Sequence, residues 1–491
     1  MWEEVARLAD ADTGRPGMLE RIERIDVVYC QAWQYDDPAA RLADRLGAHP
    51  RLAQYSGIGG NVPQSIVSDA ARDILRGHLD LALVVGAEAL ATTRRLSKEG
   101  RKPAWSFPPD QKRPFPFDVP LHPGEVAHGI FEAWLTFALF ENAHRAHLGA
   151  GLDEYRHTLG ELLAPMTVVA ASNPYAWFPT VRTAEEILGP TGQNRMVGYP
   201  YSKLMTAIMD VDMAAAVLVA SDATADSLGV PKDRRVYLRG WGYAEDPPAI
   251  AQRSDLWRSG AMEASSQAAL LGAGAAADDI AHFDLYSCFA SSIEFAIDAL
   301  GLDPRMARSA GPGVAPERPV SVTGGLAYHG GPGSNYLTHS LATMVDRLRA
   351  DPGSLGMVSG VGMHMNKHVF ATYSTTPGAL VPPDDSAVSA QAAMAPTTPV
   401  VASFDGPARV ATYSVVHGRD GEPAWAALVC DVTAPGGESA AAAGPGAARC
   451  YARLTDPDAL AMAENEELIG RPVHLSTDGD GRTSAQLSLI S

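Results

Sequence analysis

Residues 55–90, YSGIGGNVPQSIVSDAARDILRGHLDLALVVGAEAL, place a glycine-rich turn, a helical pattern and an apolar run in immediate succession. Apolar side chains recur at helical spacing between Ile66 and Leu75. The run LDLALVVGAEAL that follows is typical of a strand covered on both faces. The shorter run IDVVYC, at residues 25–30, precedes the turn and predicts another strand. Strand, helix and strand in this order indicate an α/β fold.

The second half of the chain repeats this order of elements. HFDLYSCF at residues 282–289 and PVSVTGG at residues 319–325 predict strands, with the helical pattern ASSIEFAIDALGL between them. A further helix is expected over residues 336–348, and the buried strand SLGMVSGVGM follows it. We therefore expect an internal duplication with two similar halves, residues 1–225 and 226–378.

Three segments depart from this pattern. At about residues 92–201, a stretch rich in proline and charge, a long helical pattern (IFEAWLTFALFENAHRAHLG) and the loop NPYAWFP predict an insertion folded over the core. Residues 379–399 are rich in proline, alanine and serine and predict a linker. Residues 400–491 contain short alternating runs separated by turn residues, which predict a small all-β domain.

Composition and charge exclude several classes of protein. The net charge of -18 repels phosphate backbones and anionic lipids, so we expect neither nucleic-acid nor membrane-surface binding. No apolar run reaches the length needed to span a bilayer, and the acidic N-terminus is unlike a secretion signal. The four cysteines, Cys30, Cys288, Cys430 and Cys450, form no CxxC pair. These features favour a cytoplasmic protein.

The sequence contains no strong metal or nucleotide signature. His364 and His368 have HxxxH spacing, but no glutamate lies between them, and the segment is better explained as a strand that continues into a loop. We therefore expect no metal site. Phosphate-binding GxxxxGK[ST] and hydrolase GxSxG motifs are also absent from the sequence.

Four loops lie near predicted strand ends or helix starts, where α/β sheets bind ligands. They are GIGGN from residue 57, YSCF from 286, GGLAYHGGPGSNY from 324 and SGVGMHMNKH from 359. Glycine lets a backbone approach a ligand and turn its N–H groups toward negative charge. Any one loop taken alone is better explained by a tight turn that needs glycine. The four together predict a shared pocket.

The order of these motifs resembles the thiolase superfamily, in particular the sterol-carrier-protein type. GGNVPQ with the helix after it resembles the nucleophile helix, VDMAAAVLVAS resembles a DGAAA strand, and NPYAWFP resembles part of the loop domain. The resemblance implies a duplicated five-layered αβαβα fold with an inserted loop domain. VATYSVVHGRDGEPAWAALVCDV, followed by LIGRPVHL, resembles a small OB-like domain found as a partner of thiolase-like proteins. Relatives also begin with a strand that is absent here, which predicts an open sheet edge.

The resemblance implies acyl-CoA chemistry, with most of the catalytic groups replaced. The nucleophilic cysteine of thiolases falls on Gly60 or Asn61, and the histidine of their HDCF motif falls on Tyr286. The GHP histidine falls on Gly331 and the second cysteine falls on Gly360. Because neither glycine nor asparagine can attack a thioester, we expect no covalent acyl-enzyme. The expected ligand is an acyl-CoA, without a separate cofactor.

The remaining polar groups define the predicted site. Candidate catalytic residues are Tyr286, His329 and Tyr336. Backbone N–H groups and side chains of the glycine loops are expected to face a thioester oxygen, at Gly59, Gly60, Asn61, Gly330, Gly331 and Gly360.

Two alternative functions stay open, namely retro-aldol cleavage of a β-hydroxyacyl-CoA by tyrosine acid–base chemistry, and a non-catalytic ligand-binding or scaffold subunit. The resemblance also allows a homodimer through the core. The segment from Val401 onward has no lysine, which favours docking on the core over nucleic-acid binding.

Overall fold

The computed structural model describes residues 1–111, 121–307, 313–432 and 448–487. Residues 112–120 of the predicted proline-rich excursion lie outside this part of the chain, as do the last four residues.

The helices are α1 (Trp2–Asp12), α2 (Pro38–Leu46), α3 (Val62–Leu75), α4 (Leu90–Lys98), α5 (Pro123–His128), α6 (Ala133–His147), α7 (Leu152–Ser172), α8 (Ala184–Leu188), α9 (Asp222–Ser227), α10 (Gly260–Ala273), α11 (Ala290–Leu300), α12 (Tyr336–Ala350), α13 (Asp385–Ala392) and α14 (Pro457–Ala463). The strands are β1 (Arg24–Val27), β2 (Leu52–Tyr55), β3 (Leu81–Ala89), β4 (Met196–Gly198), β5 (Tyr201–Ser202), β6 (Asp212–Ala220), β7 (Tyr237–Glu245), β8 (Ile280–Asp284), β9 (Leu355–Gly362), β10 (Lys367–Ser374), β11 (Gly406–His417), β12 (Pro423–Val432), β13 (Ala448–Leu454), β14 (Pro472–Thr477) and β15 (Thr483–Leu487).

The first half forms a four-stranded sheet in the order β2-β1-β3-β6. β1 runs parallel to β2 and β3, and β6 runs antiparallel to β3. Helix α3 connects β2 to β3 and buries the apolar face that includes Ile66, Val67 and Ala70. The mixed α/β architecture predicted from this stretch is therefore confirmed.

The second half forms a related sheet in the order β7-β10-β9-β8. β8 and β9 are parallel, and β10 is antiparallel to β9, so β8–α12–β9–β10 follows the same plan as β1–α3–β3–β6. β7 pairs with the outer edge of β10, whereas the matching edge of β6 has no strand beside it in the described residues.

The helices lie on both faces of the two sheets. α3 and α12 contact each other and strands of both sheets, so they form the layer between the sheets. α1 and α2 pack on the strands of the first sheet, and α10 packs on β7 and β10 of the second. The glycine-rich turn before α3 and the loop before α12 consequently meet between the sheets.

The prediction of a strand at residues 319–325 is wrong. Its backbone lies beside β8, where the Leu285 N–H donates to the Val320 carbonyl at 2.8 Å, but it forms no strand. The Ser321 hydroxyl and the Thr323 N–H instead bind the buried Asp284 carboxylate, at 2.6 and 3.2 Å. Side-chain hydrogen bonds of this kind compete with a β-ladder for the backbone.

The insertion lies between β3 and β6 and contains α4 to α8 together with β4 and β5. The helix predicted from IFEAWLTFALFENAHRAHLG is α6. Helix α7 is the longest of the group and packs on α8 and α11.

The C-terminal strands close into a barrel. β11 pairs with both β12 and β14, β12 pairs with β13, and β15 bridges β13 and β14. The strands therefore follow the closed order β11-β12-β13-β15-β14, and α14 lies between β13 and β14 in the chain. β4 of the insertion extends this sheet, because Gly198 pairs with Val416 of β11.

Two details differ from the expected boundaries. The predicted linker at residues 379–399 contains α13, which Asp384 caps by accepting N–H bonds from Ser386 and Ala387. Val388 and Ala392 of this helix are buried against α10, so the segment is partly ordered by apolar packing. The boundary expected at residue 225 falls inside α9, whose first turn is capped by Ser221.

Candidate functional site

The glycine-rich turn before α3 is covered by Tyr286. A Cβ atom placed on Gly60 would overlap the Tyr286 hydroxyl and lie 2.5 Å from the Val361 carbonyl oxygen. Gly60 is therefore required for the close approach of β9 and of the loop after β8. The tyrosine hydroxyl occupies the space into which a side chain at position 60 would project.

The three predicted catalytic residues lie side by side. The ring centroids of Tyr286 and Tyr336 are 5.6 Å apart, and those of Tyr336 and His329 are 6.0 Å apart. All three side chains are buried. The structure thus brings together residues that are separated by up to 50 positions in the chain.

The Tyr336 hydroxyl already forms hydrogen bonds with other residues of the protein. Its hydroxyl lies 2.6 Å from the Thr323 hydroxyl and 3.1 Å from the Asp284 carboxylate, which also accepts a hydrogen bond from Ser340. Burial and the nearby Asp284 raise the pKa of Tyr336 well above its usual range. Tyr336 therefore helps to hold Asp284 and is unsuited to act as a base.

The two other candidates are uncharged at neutral pH. Burial strongly raises the pKa of Tyr286 and lowers the pKa of His329 to about 4. The Asn173 amide Nδ2 lies 3.3 Å from His329 Nδ1, and the same amide donates to the Thr323 carbonyl at 3.0 Å. Asn173 belongs to NPYAWFP, so the inserted segment orients the His329 ring.

Two of the predicted backbone donors face the protein itself. The Gly59 N–H donates to the Ser334 hydroxyl at 3.1 Å, and the Gly331 N–H donates to the Ile208 carbonyl at 2.9 Å. The expectation that these two amides face a ligand is therefore wrong, because each is used to fix a loop.

The other three loop glycines mark close packing. A Cβ on Gly360 would lie 2.8 Å from the Asn61 Cα, and one on Gly330 would lie 2.9 Å from the Met213 sulfur. Gly60 packs against Tyr286 in the same manner. Asn61 itself precedes α3 without capping it, and its Oδ1 is buried with no hydrogen-bond partner in the described chain.

Three further polar residues at this site were not predicted from the sequence. Asn335, Thr338 and His339 lie at the start of α12, and each has a buried polar atom without a partner among the described residues. His339 is three positions after Tyr336, and its ring centroid lies 5.4 Å from that of His329. The spacing of one helical turn from Tyr336 was the available signal.

None of the four cysteines lies at the turn. Cys30 and Cys288 are buried, and burial raises the pKa of each thiol to about 12. Cys430 and Cys450 face each other across β12 and β13 inside the barrel. A reactive thiolate is thus available at none of these positions.

A cavity of about 610 Å³ opens beside the site, at the carboxyl ends of β1 and β3. Glu88 lines it and accepts N–H bonds from Gln31 at 2.7 Å and Ala32 at 3.0 Å. A Cβ on Gly333 would lie 2.7 Å from the same carboxylate, so the cavity wall adjoins the loop before α12.

A separate buried cluster contains Glu141, His144 and Glu294, whose potential metal-ligating atoms lie within 4.8 Å of one another. The Tyr155 hydroxyl contacts all three, with 2.6 Å to Glu294 and 3.0 Å to His144 Nδ1. Burial and Glu294 raise the pKa of Glu141, so this carboxyl retains its proton. The phenol fills the centre of the cluster, which is therefore satisfied as a hydrogen-bonded network.

None of the helices in the described residues is both long and apolar enough to cross a membrane.

No protein-family model and no curated protein matches the sequence. The chain is similar to the crystal structure of a monomeric SCP2-thiolase like protein type 1 from Mycobacterium smegmatis, with a TM-score of 0.82 and 29% sequence identity. The match covers 99% of this chain and 94% of that chain. This protein therefore has a thiolase-like fold.

Proposed function

We propose that this protein binds an acyl-CoA between its two sheets and does not carry out cysteine-dependent condensation. The supporting observation is the Tyr286 hydroxyl, which takes up the space beside Gly60 where a nucleophile would project. The buried polar atoms of Asn61, His329 and Asn335 supply hydrogen-bonding capacity that the described residues leave unused. Such groups are costly to bury without a partner and are typical of ligand sites.

We also propose that the core has five layers and that the C-terminal barrel is OB-like. Contacts of α3 and α12 with both sheets, and of the outer helices with single sheets, support a duplicated five-layered αβαβα core. The closed strand order β11-β12-β13-β15-β14, with a helix before the fourth strand, supports an OB-like barrel. The barrel packs on the insertion and has no lysine, so its proposed role is to support the core. A homodimer through the core stays a prediction, which sedimentation velocity tests.

Two measurements with purified protein test this function. Calorimetric titration with acetyl-CoA is expected to show saturable binding. Intact-mass analysis after incubation with acetyl-CoA is expected to show no acetyl adduct, and acetoacetyl-CoA thiolysis is expected to be absent. An adduct located at residues 57–64, or robust acetoacetyl-CoA synthesis, would refute the proposal.

Retro-aldol cleavage of a β-hydroxyacyl-CoA is the second candidate. It needs no nucleophile, and the proximity of Tyr286, Tyr336 and His329 favours it. The raised pKa values of both tyrosines disfavour a tyrosine base in this conformation. Release of an aldehyde or ketone that is lost in Tyr286→Phe would support cleavage, whereas binding without turnover would support the ligand-binding function.

A further inference from the structure

The short segment from residue 328 to residue 339 carries an unusual concentration of unsatisfied polar groups. Buried polar atoms normally find partners, and each one left alone costs about 1–3 kcal/mol. Within the described residues, the atoms of this segment that lack partners are Tyr328 Oη, His329 Nε2, Asn335 Oδ1 and Nδ2, Thr338 Oγ1 and His339 Nε2.

The protonation of His329 follows from its neighbour. The Asn173 amide donates to the Thr323 carbonyl, and its nitrogen also faces His329 Nδ1 at 3.3 Å. An amide nitrogen can only donate, so Nδ1 is the acceptor and the ring proton resides on Nε2. His329 Nε2–H is thus a fixed donor, and its side chain is 1% exposed.

His339 places a second imidazole next to this donor. The two rings meet edge to face with centroids 5.4 Å apart and an interplanar angle of 66°. No hydrogen bond or ion pair joins either ring to a carboxylate in the described residues, and burial holds the pKa of both far below the usual range. The pair is therefore neutral. It is suited to an acceptor oxygen that is uncharged or that gains negative charge during a reaction, and it is unsuited to a cation.

We propose that His329 and His339 form a pair of neutral N–H donors that binds the carbonyl oxygen of a CoA thioester. This inference rests on the proposed function and assigns the polar contacts of its ligand. The thioester oxygen accepts hydrogen bonds and donates none, which matches the unpaired Nε2–H of His329. The proposal places the ring proton of His339 on Nε2 as well, the atom that lacks a partner among the described residues. Neither histidine occupies a position at which the thiolase resemblance places a catalytic group.

The test compares two ligands that differ in one oxygen. Acetyl-CoA carries the thioester carbonyl, and S-ethyl-CoA replaces it with a methylene group. Calorimetry on the intact protein is expected to show acetyl-CoA binding about tenfold or more tightly, since the thioether leaves the donors unpaired. His339→Leu is expected to remove most of this preference, and His339→Gln, which keeps an N–H donor, is expected to restore part of it.

His157→Leu is the matched control, because His157 is exposed on α7 and is not among the buried polar groups that lack a partner. It is expected to retain the full preference. Histidine ¹⁵N spectra of the intact protein give a readout that does not depend on a variant's folding. They are expected to show the Nε2–H tautomer for His329 and a shift of both Nε2 signals on addition of acetyl-CoA.

The outcomes separate the two proposals. Equal affinity for acetyl-CoA and S-ethyl-CoA would overturn the imidazole pair and leave acyl-CoA binding intact. If neither CoA compound binds, S-acetyl-N-acetylcysteamine replaces them as the probe. Shifts of both Nε2 signals with this small thioester would then uphold the pair and refute CoA binding, and unchanged signals would refute both.

Discussion

At the residue scale, burial sets the chemistry of the ionisable groups. Tyr286 and His329 are both kept neutral because the protein interior disfavours the charged form of each. The cluster of Glu141, His144 and Glu294 behaves differently. Although burial opposes ionisation, Glu294 and Asp298 raise the pKa of His144 to about 10. Protonated His144 thus balances the negative charge of Glu294, and Glu141 retains its proton.

This charge assignment predicts unequal effects of two similar substitutions. Glu141→Gln is expected to cost less than about 1 kcal/mol of unfolding free energy, because it replaces a protonated carboxyl with an amide of the same shape. Glu294→Gln removes the anion that faces His144 and is expected to cost about 3–5 kcal/mol. Urea unfolding at pH 7 measures both. Equal costs would show that the proton is assigned to the wrong glutamate.

Buried neutral histidines predict a loss of stability in acid. Burial, with Arg253 nearby, lowers the pKa of His364 to about 4, whereas an unfolded histidine titrates near 6.5. Between these values the unfolded chain binds the extra proton, so His364 removes about 1.4 kcal/mol of stability per pH unit as pH falls. His364→Gln is expected to flatten the pH dependence of unfolding from 6.5 to 4. An unchanged slope would contradict this assignment.

At the scale of single elements, glycines permit direct backbone contact between helix and sheet. Gly242 of β7 faces α10, and a Cβ there would overlap the Ser265 carbonyl and lie 2.8 Å from the Ala268 methyl. Gly240 meets the same helix near Ala269. Because these contacts involve helix backbone, a flexible side chain cannot move aside to accept a methyl group.

Gly242→Ala is therefore expected to destabilise the protein by about 1–3 kcal/mol, since overpacking forces β7 away from α10. Gly192→Ala is the matched control, because no atom lies within 4 Å of a Cβ at that position. Thermal unfolding of both variants measures the difference. Without overpacking, Gly192→Ala is expected to leave the midpoint unchanged or slightly raised, so equal losses in the two variants would contradict overpacking as the cause at Gly242.

At the scale of the whole molecule, buried hydrogen bonds join the insertion, the barrel and the core. The Asn142 amide of α6 donates to the carbonyls of Tyr199 and Tyr413 at 3.2 and 2.8 Å, which joins the insertion to the barrel. The Tyr451 hydroxyl of the barrel donates to Glu125 at 2.6 Å, and Glu125 accepts the N–H of Ile250 in the core. These buried bonds couple the parts energetically.

Calorimetry is therefore expected to show one unfolding transition for the full chain. Asn142→Ala removes the amide donor from both carbonyls, of which Tyr199 keeps the Ser414 hydroxyl at 2.9 Å, and is expected to lower the midpoint of that transition without splitting it. Asn465→Ala, on the exposed surface of the barrel, serves as the control and is expected to have little effect. Two separate transitions, with only one affected by Asn142→Ala, would show that the barrel unfolds independently.

The sequence predicted the repeated elements well because apolar periodicity is a local property. The run from residue 81 to residue 89 became β3, and the helix after residue 335 became α12. Residues 319–325 failed as a strand because Asp284, far away in sequence, captures their hydrogen-bonding groups. No local pattern reveals such a competitor.

By itself, the sequence determined the α/β class, the doubled plan and the absence of a thiol at the glycine turn, since each follows from residue identity and spacing. Only the tertiary structure decided that Tyr286 occupies the space beside Gly60, that Tyr336 is held by Asp284, and that His339 joins His329. Those facts depend on how two sheets and two helices pack. Packing sets which distant groups share a desolvated space, and desolvation decides their charge and the partners they lack.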